Sequence, residues 1–164
     1  MIHNVTGDIL LSKAQLTAHG IAPNDHFDSG LALALRERWP GMVKDFRHWA
    51  KNEHPKAGEI WVWSGPDQDG TKSIANLLTQ DGEHHHGARP GKATLSHVHN
   101  ALKALAAYCE DNAIQSLALP RVATGVGGLS WDEVEPFVRE FFGAGKLPVY
   151  VYTTFRAGVA ADEG

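Results

Sequence analysis

The stretch that most constrains this chain is Leu117-Ala118-Leu119-Pro120-Arg121-Val122-Ala123-Thr124-Gly125-Val126-Gly127-Gly128-Leu129-Ser130-Trp131. It reads as a short buried strand, a glycine-rich turn and a helix start, in that order. A strand that feeds a helix through a tight turn is the building unit of layered α/β folds. Three glycines within four residues, Gly125 to Gly128, let backbone N–H groups turn toward one point without interference from Cβ atoms. The helix start behind them adds partial positive charge. Ser130 and Glu133 are spaced as a capping box, and Leu129 and Val134 as a hydrophobic staple. No Gly-Lys-Ser/Thr follows, and the full G-x-G-x-x-G pattern is missing, so neither common nucleotide fingerprint applies. On spacing alone, an anion cradle and an ordinary glycine-rich turn both remain open.

A second segment repeats the arrangement. Ala18-His19-Gly20-Ile21 reads as a strand end. The polar loop Ala22–Ser29 follows, and a helix starts near Gly30 with Leu31, Leu35 and Trp39 on one face and Asp28 placed to cap it. Two such loops can clamp a diphosphate between two helix N-termini. The same residues also serve as plain helix caps, and the two roles are compatible. Elsewhere, Ile2–Val5, Glu59–Trp63, Ser73–Leu78 and Val149–Thr153 read as strands. Pro40 restarts a helix that runs to about Ala50. Leu95, Val98, Leu102, Leu105 and Cys109 mark a long amphipathic helix, and Val134, Phe137, Val138 and Phe141 mark the last one. Pro136 falls in the second turn of that helix with no functional reason. Strands alternating with helices predict an α/β fold around a mixed sheet, with ligands where loops leave the carboxyl ends of the strands.

The 164 residues suit one domain with a real core. No apolar run approaches the ~20 residues that span a bilayer. Met1-Ile2-His3-Asn4 lacks the build of a secretion signal. The single Cys109 cannot close an internal disulfide, so a reducing, cytoplasmic setting is expected, with Cys109 a small buried hydrophobe. Net charge is −4 with histidines neutral. The densest basic stretch, Arg36 to Arg47, is diluted by Glu37 and Asp45, which disfavours nucleic acid as a partner. His84-His85-His86 invites a metal reading, but consecutive side chains rarely converge on one ion, so a flexible loop beside the cleft is expected and no metal or cofactor. The tail from Arg156 is Ala/Gly-rich and expected to fray.

Together these segments resemble the macrodomain family. Gly7-Asp8-Ile9 looks like its Gly-Asp-Ile signature, and the loops His19–Leu31 and Gly125–Gly128 look like its two phosphate loops. The wording of Ala18–Ile21 and of Leu119–Val122 is closest to the branch holding terminal ADP-ribose protein glycohydrolases and DNA ADP-ribosyl glycohydrolase antitoxins. The resemblance runs from Met1 to Phe155, leaving 156–164 as a flexible tail. It implies a three-layer α/β/α macrodomain with a mixed central sheet, binding ADP-ribose and acting on ADP-ribosylated protein.

The roles it implies are specific. Asp8 accepts from the adenine amino group, with the Ile9 backbone beside it. Val122, Ala123, Thr124, Gly125, Val126, Gly127 and Gly128 wrap the diphosphate, while Ser29, Gly30 and Leu31 approach from the other side and His19 borders the loop. Tyr152 or Thr153 borders the adenosine, although Tyr152 and Tyr150 read equally well as core packing. Two positions depart from the family. Hydrolases of this branch place a catalytic lysine after a Leu/Ile-Thr or Pro-Thr pair; here Leu78-Thr79 precedes Gln80. Some carry an acid in the second loop where Gly127 stands. Gln80 can form no Schiff base and is no base near neutral pH. Hydrolysis then requires water attack, with Gln80, Asp28 or Asp81 orienting or activating the water, and a Glu or Asp ester as substrate. A non-catalytic ADP-ribose reader and a hydrolase of DNA-linked ADP-ribose are the alternatives.

Overall fold

The computed structural model describes residues 1–68, 70–82 and 92–164. The six strands are β1 (Ile2–Gly7), β2 (Leu16–Ile21), β3 (Ile60–Asp67), β4 (Gly70–Leu78), β5 (Leu117–Pro120) and β6 (Val149–Phe155). The helices are α1 (Gly30–Arg38), α2 (Pro40–Glu53), α3 (Leu95–Asp111) and α4 (Trp131–Phe142), and Ile9–Leu11 forms a single 3-10 turn. The sheet order is β1-β6-β5-β2-β4-β3. All neighbours run parallel except β3, which pairs antiparallel with β4 from Ile60↔Leu77 to Asp67↔Gly70. The expected mixed sheet is therefore present. β3 and β4 are longer than the residue pattern predicts, because their hairpin ends carry Ser64, Asp67 and Thr71, polar residues that hide a strand from an apolar search.

The period-two alternation of β2 divides the two cores. Leu16 and Ala18 enter the cluster built with α3 and α4. Ile21 enters the one built with α1 and α2, around Phe27, Met42, Phe46, Ile74 and Leu78. Helices on both faces of the sheet make the three-layer architecture. A smaller cluster of Val5, Ile9, Ala14, Ala118 and Tyr152 closes the β1 end. Cys109 is buried, and desolvation pushes its thiol up to about 11. Among the described residues no helix is long and apolar enough to cross a membrane.

Three expectations need correction. The N-cap of α1 is Ser29, not Asp28, and no side chain caps that helix end. The box at α4 is only half made: Ser130 Oγ accepts from the Asp132 N–H at 3.3 Å, and the Glu133 N–H bonds the Ser130 carbonyl instead. The segment after Arg156 does not hang free. The Gly158 N–H donates to Asp8 Oδ2 at 3.0 Å, the Asp8 N–H donates to the Val159 carbonyl at 2.7 Å, and Glu163 accepts from Ser12, Lys13 and Tyr152. The Ala/Gly composition suggested fraying because backbone donors and one terminal carboxylate, not apolar side chains, make these contacts.

Candidate active site

The sheet order fixes where a ligand fits. From β2 the chain leaves through α1 and α2 toward β3 and β4; from β5 it leaves through α4 toward β6. The neighbouring strands β2 and β5 thus feed opposite faces of the sheet, and a crevice opens outside their carboxyl ends. Their pairing covers only Leu16↔Leu117 and Thr17↔Ala118. Beyond it the strands separate, and both signature loops face the gap.

Two adjoining cavities fill this crevice. The inner one, about 270 Å3, is lined by both loops, from His19 to Ala32 and from Pro120 to Gly127, together with Gln80. The outer one, about 420 Å3, is lined by Asp8, Ile9, Leu10, Leu31, Ala34, Tyr152 and Phe155 among others. Gly30, Leu31 and Pro120 belong to both walls. The outer cavity is mostly apolar, with Asp8 and Tyr152 its two polar side chains, a shape and chemistry suited to a planar base with one exocyclic donor.

Backbone donors converge on the inner cavity. With α1 uncapped, the N–H groups of Gly30, Leu31 and Ala32 have no partner among the described residues. Across the gap the same holds for Gly125, Val126 and Gly127. The ends of the second loop are spent on the loop itself. Gly128 N–H bonds the Gly125 carbonyl at 3.1 Å, and Thr124 Oγ1 donates to the Arg121 carbonyl at 2.8 Å. Thr124 and Gly128 do not line the cavity, so the expected cradle narrows to its three central residues. Gly127 is held there sterically: a Cβ would stand 2.6 Å from the Ala123 carbonyl oxygen. Each loop holds one non-glycine residue with left-handed backbone, Phe27 (φ 56°) in the first and Ala123 (φ 65°) in the second. Such conformations cost ~1–3 kcal/mol each and persist where surrounding packing enforces them. Phe27 is fully buried and Ala123 packs on the α3/α4 core.

The titratable groups separate by their partners. Asp25 builds the first loop, accepting from Ala22 N–H at 3.1 Å and Phe27 N–H at 2.8 Å. Asp28 is exposed, lines the inner cavity, and has no hydrogen bond among the described residues. Gln80 is buried at 4% exposure in the same wall, where it forms a bridge with Ala93. Asp81 lies elsewhere: it borders a separate open cavity on the far side of the first loop and pairs with His97 at 3.0 Å. Its expected catalytic place beside Gln80 fails because successive residues of an extended chain point to opposite sides. His19 lines the inner cavity, but its ring is buried and Nε2–H donates to Asn76 Oδ1 at 2.6 Å. Burial lowers its pKa, which keeps the ring neutral.

Composition and spacing did not single out Ala32, Pro120 or Arg121 in the inner wall, nor Leu10, Ala34 and Phe155 in the outer one. Position relative to the two loops was the available signal for the first three. Among the described residues no group of three His, Cys, Asp or Glu side chains is placed to hold a metal ion. His84, His85 and His86 lie outside the described residues.

Comparison with known proteins agrees with this geometry. The Macro domain family matches residues 22–138. The chain is 27% identical over 150 residues to human ADP-ribose glycohydrolase OARD1, covering 91% of this chain and 89% of that protein. It is 27% identical over 135 residues to the DNA ADP-ribosyl glycohydrolase of Mycobacterium tuberculosis, covering 82% of this chain and 37% of that protein. Among solved structures, the macrodomain of Mycobacterium tuberculosis DarG superposes with a TM-score of 0.79 at 24% identity, over 93% of this chain and 97% of that one. Sheet order, switch-point crevice, paired loops and family match lead to one assignment: the chain belongs to the macrodomain family.

Proposed function

We propose that this macrodomain is an ADP-ribosyl hydrolase that works without a catalytic lysine. The observation that carries it is the inner cavity. Six N–H groups with no partner among the described residues, from Gly30–Ala32 and Gly125–Gly127, border the same cavity as Gln80 and Asp28, whose carboxylate likewise has no hydrogen bond among the described residues. The N–H groups suit a diphosphate. The apolar outer cavity with Asp8 suits the adenosine, and the distal ribose then falls between Gln80 and Asp28. The names of the relatives, an ADP-ribose glycohydrolase and a DNA ADP-ribosyl glycohydrolase, support hydrolysis over simple binding.

A Glu- or Asp-linked ester is the favoured substrate. Water attacks C1″ of the distal ribose, and its oxygen forms the new bond there. The C1″–O bond to the acceptor breaks, its electron pair leaving with the acceptor carboxylate. Asp28 takes the surplus water proton and returns it to solvent, while Gln80 orients the water or a ribose hydroxyl. A carboxylate has a conjugate acid pKa near ~4, so it leaves without a general acid. That is why an inner cavity with no lysine among its described lining residues can still suffice.

A DNA-linked acceptor is the second reading, and one feature favours it. Arg47, Lys51 and Lys56 line the open cavity of about 890 Å3 that shares Asp25 with the inner one. Arg47 and Lys51 are one helical turn apart on α2, so they share a face. Their separation in sequence hid this basic surface. The test is incubation with protein ADP-ribosylated on Glu and, separately, with ADP-ribosylated single-stranded DNA, reading released ADP-ribose. Release from the protein is expected. Release from DNA alone would move the assignment to the second reading, and binding without release from either would make the domain a reader.

A further inference from the structure

The base-binding end is finished by a segment that lies outside the matched family region. Asp8 stands in the wall of the outer cavity with both carboxylate oxygens already engaged from behind. Oδ1 accepts from Leu10 N–H and Oδ2 from Gly158 N–H, each at 3.0 Å. Gly158 has φ +72°, a left-handed conformation that glycine takes without strain. Tyr152, the other polar side chain of that wall, donates its hydroxyl to Glu163 Oε2 at 2.7 Å. Glu163 is fixed in turn: Ser12 Oγ donates to Oε2 at 2.7 Å and Lys13 N–H to Oε1 at 2.9 Å. The contact is close along its length, because a Cβ on Gly7 would meet the Ala161 nitrogen at 2.7 Å and the Val159 oxygen at 2.8 Å.

We propose that residues 158–163 are a latch that sets purine recognition, with Glu163 as its positioning residue. The Gly158 N–H locks the carboxylate rotamer of Asp8, so that its remaining lone pairs serve an exocyclic amine in the cavity. Glu163 holds the Tyr152 hydroxyl and thereby fixes the ring that forms the cavity's side. A buried phenol needs such a partner; without it the ring is free to tilt into the space a base would occupy. The hydrogen bonds that residues 158–163 make with the rest of the fold at this end go to Asp8, Ser12, Lys13 and Tyr152 and to neither phosphate loop, so the effect falls on the base. This inference rests on the assignment of the outer cavity to adenosine made above.

The test is calorimetric binding of three ligands: ADP-ribose, its hypoxanthine analogue, and ribose 5-phosphate. Hypoxanthine presents a carbonyl where adenine presents its amino donor. Glu163→Ala is expected to weaken ADP-ribose binding about fivefold to tenfold. It should also reduce the preference for adenine over hypoxanthine and leave ribose 5-phosphate unchanged. Glu163→Gln, which keeps an acceptor for Tyr152, should restore most of the loss. Tyr152→Phe cuts the same bond from the other side while retaining the ring, and the double variant Tyr152→Phe/Glu163→Ala should be little worse than either single one. Wild-type affinity and wild-type base preference in Glu163→Ala would overturn the latch, as would equal proportional losses for ADP-ribose and ribose 5-phosphate. Failure of the unaltered protein to bind ADP-ribose at all would instead remove the adenosine assignment, and the latch with it.

Discussion

Two carboxylates three residues apart, Asp25 and Asp28, face one cavity but can do different things. Asp25 is committed to the N–H groups of Ala22 and Phe27, so its lone pairs hold the loop. Asp28 is exposed and has no hydrogen bond among the described residues, which is why the proposed mechanism gives it the water proton. Asp28→Asn should therefore lower kcat for ester hydrolysis by about 100-fold or more, at nearly constant ADP-ribose affinity. Asp81→Asn, outside the cavity, should leave kcat within about twofold. Gln80→Ala should give only a partial loss, since an amide orients but does not activate. Equal damage from the Asp28 and Asp81 variants, measured by steady-state kinetics, would displace Asp28 from its role. His19 makes a separate, pH-dependent prediction. Its folded pKa is depressed below the ordinary 6.5 by burial. The unfolded chain then binds the extra proton first. The stabilising contribution is complete above pH 6.5 and is lost as pH falls from there toward the folded value. Below pH 6.5 this one residue should add a slope of up to about 1.4 kcal/mol per pH unit to the unfolding free energy. His19→Gln should flatten that slope in denaturant titrations across pH 5 to 7.

The second loop shows how an element can be open in one place and closed in another. At Gly125 an added Cβ meets nothing within 4 Å, whereas at Gly127 it meets the Ala123 carbonyl at 2.6 Å. Gly125→Glu should then fold normally and abolish ADP-ribose binding, through charge and bulk placed against the open N–H groups. Gly127→Ala should cost stability, about 1–3 kcal/mol as an overpacked contact, before any effect on ligand is considered. Thermal melting and calorimetry on both variants separate the two effects. Reversed behaviour would mean that the loop is held differently from this structure. The glycine spacing marked the turn between β5 and α4 in the sequence, but spacing alone left an anion cradle and an ordinary glycine-rich turn equally open. Which N–H groups stay open was not legible. That depends on Thr124 and Gly128 turning back on Arg121 and Gly125, and on α1 lacking a side-chain cap, both of which are tertiary outcomes.

Across the whole molecule, strand and helix order followed from apolar periodicity, since β2, β5 and α3 carry unambiguous patterns. The hairpin end of β3 and β4 did not, because Ser64, Asp67 and Thr71 there are polar and leave no apolar alternation to read. The tail 158–163 was hidden for a related reason: its anchors are backbone N–H groups and a single Glu163, which leave no periodic trace. The basic wall of Arg47, Lys51 and Lys56 was diluted in sequence by residues that the helix turns elsewhere. Gln80 was legible as a departure in the sequence, and the structure puts it inside the inner cavity, buried and opposite the first loop. Hydrolysis without a covalent lysine intermediate is open to trapping. The protein should be allowed to turn over Glu-linked ADP-ribosylated substrate in the presence of borohydride, with free ADP-ribose and enzyme mass both read out. Release of ADP-ribose with the enzyme mass unchanged is the predicted result. An enzyme carrying one reduced ADP-ribose adduct on a lysine would contradict it, by showing that another lysine has taken the place left by Gln80.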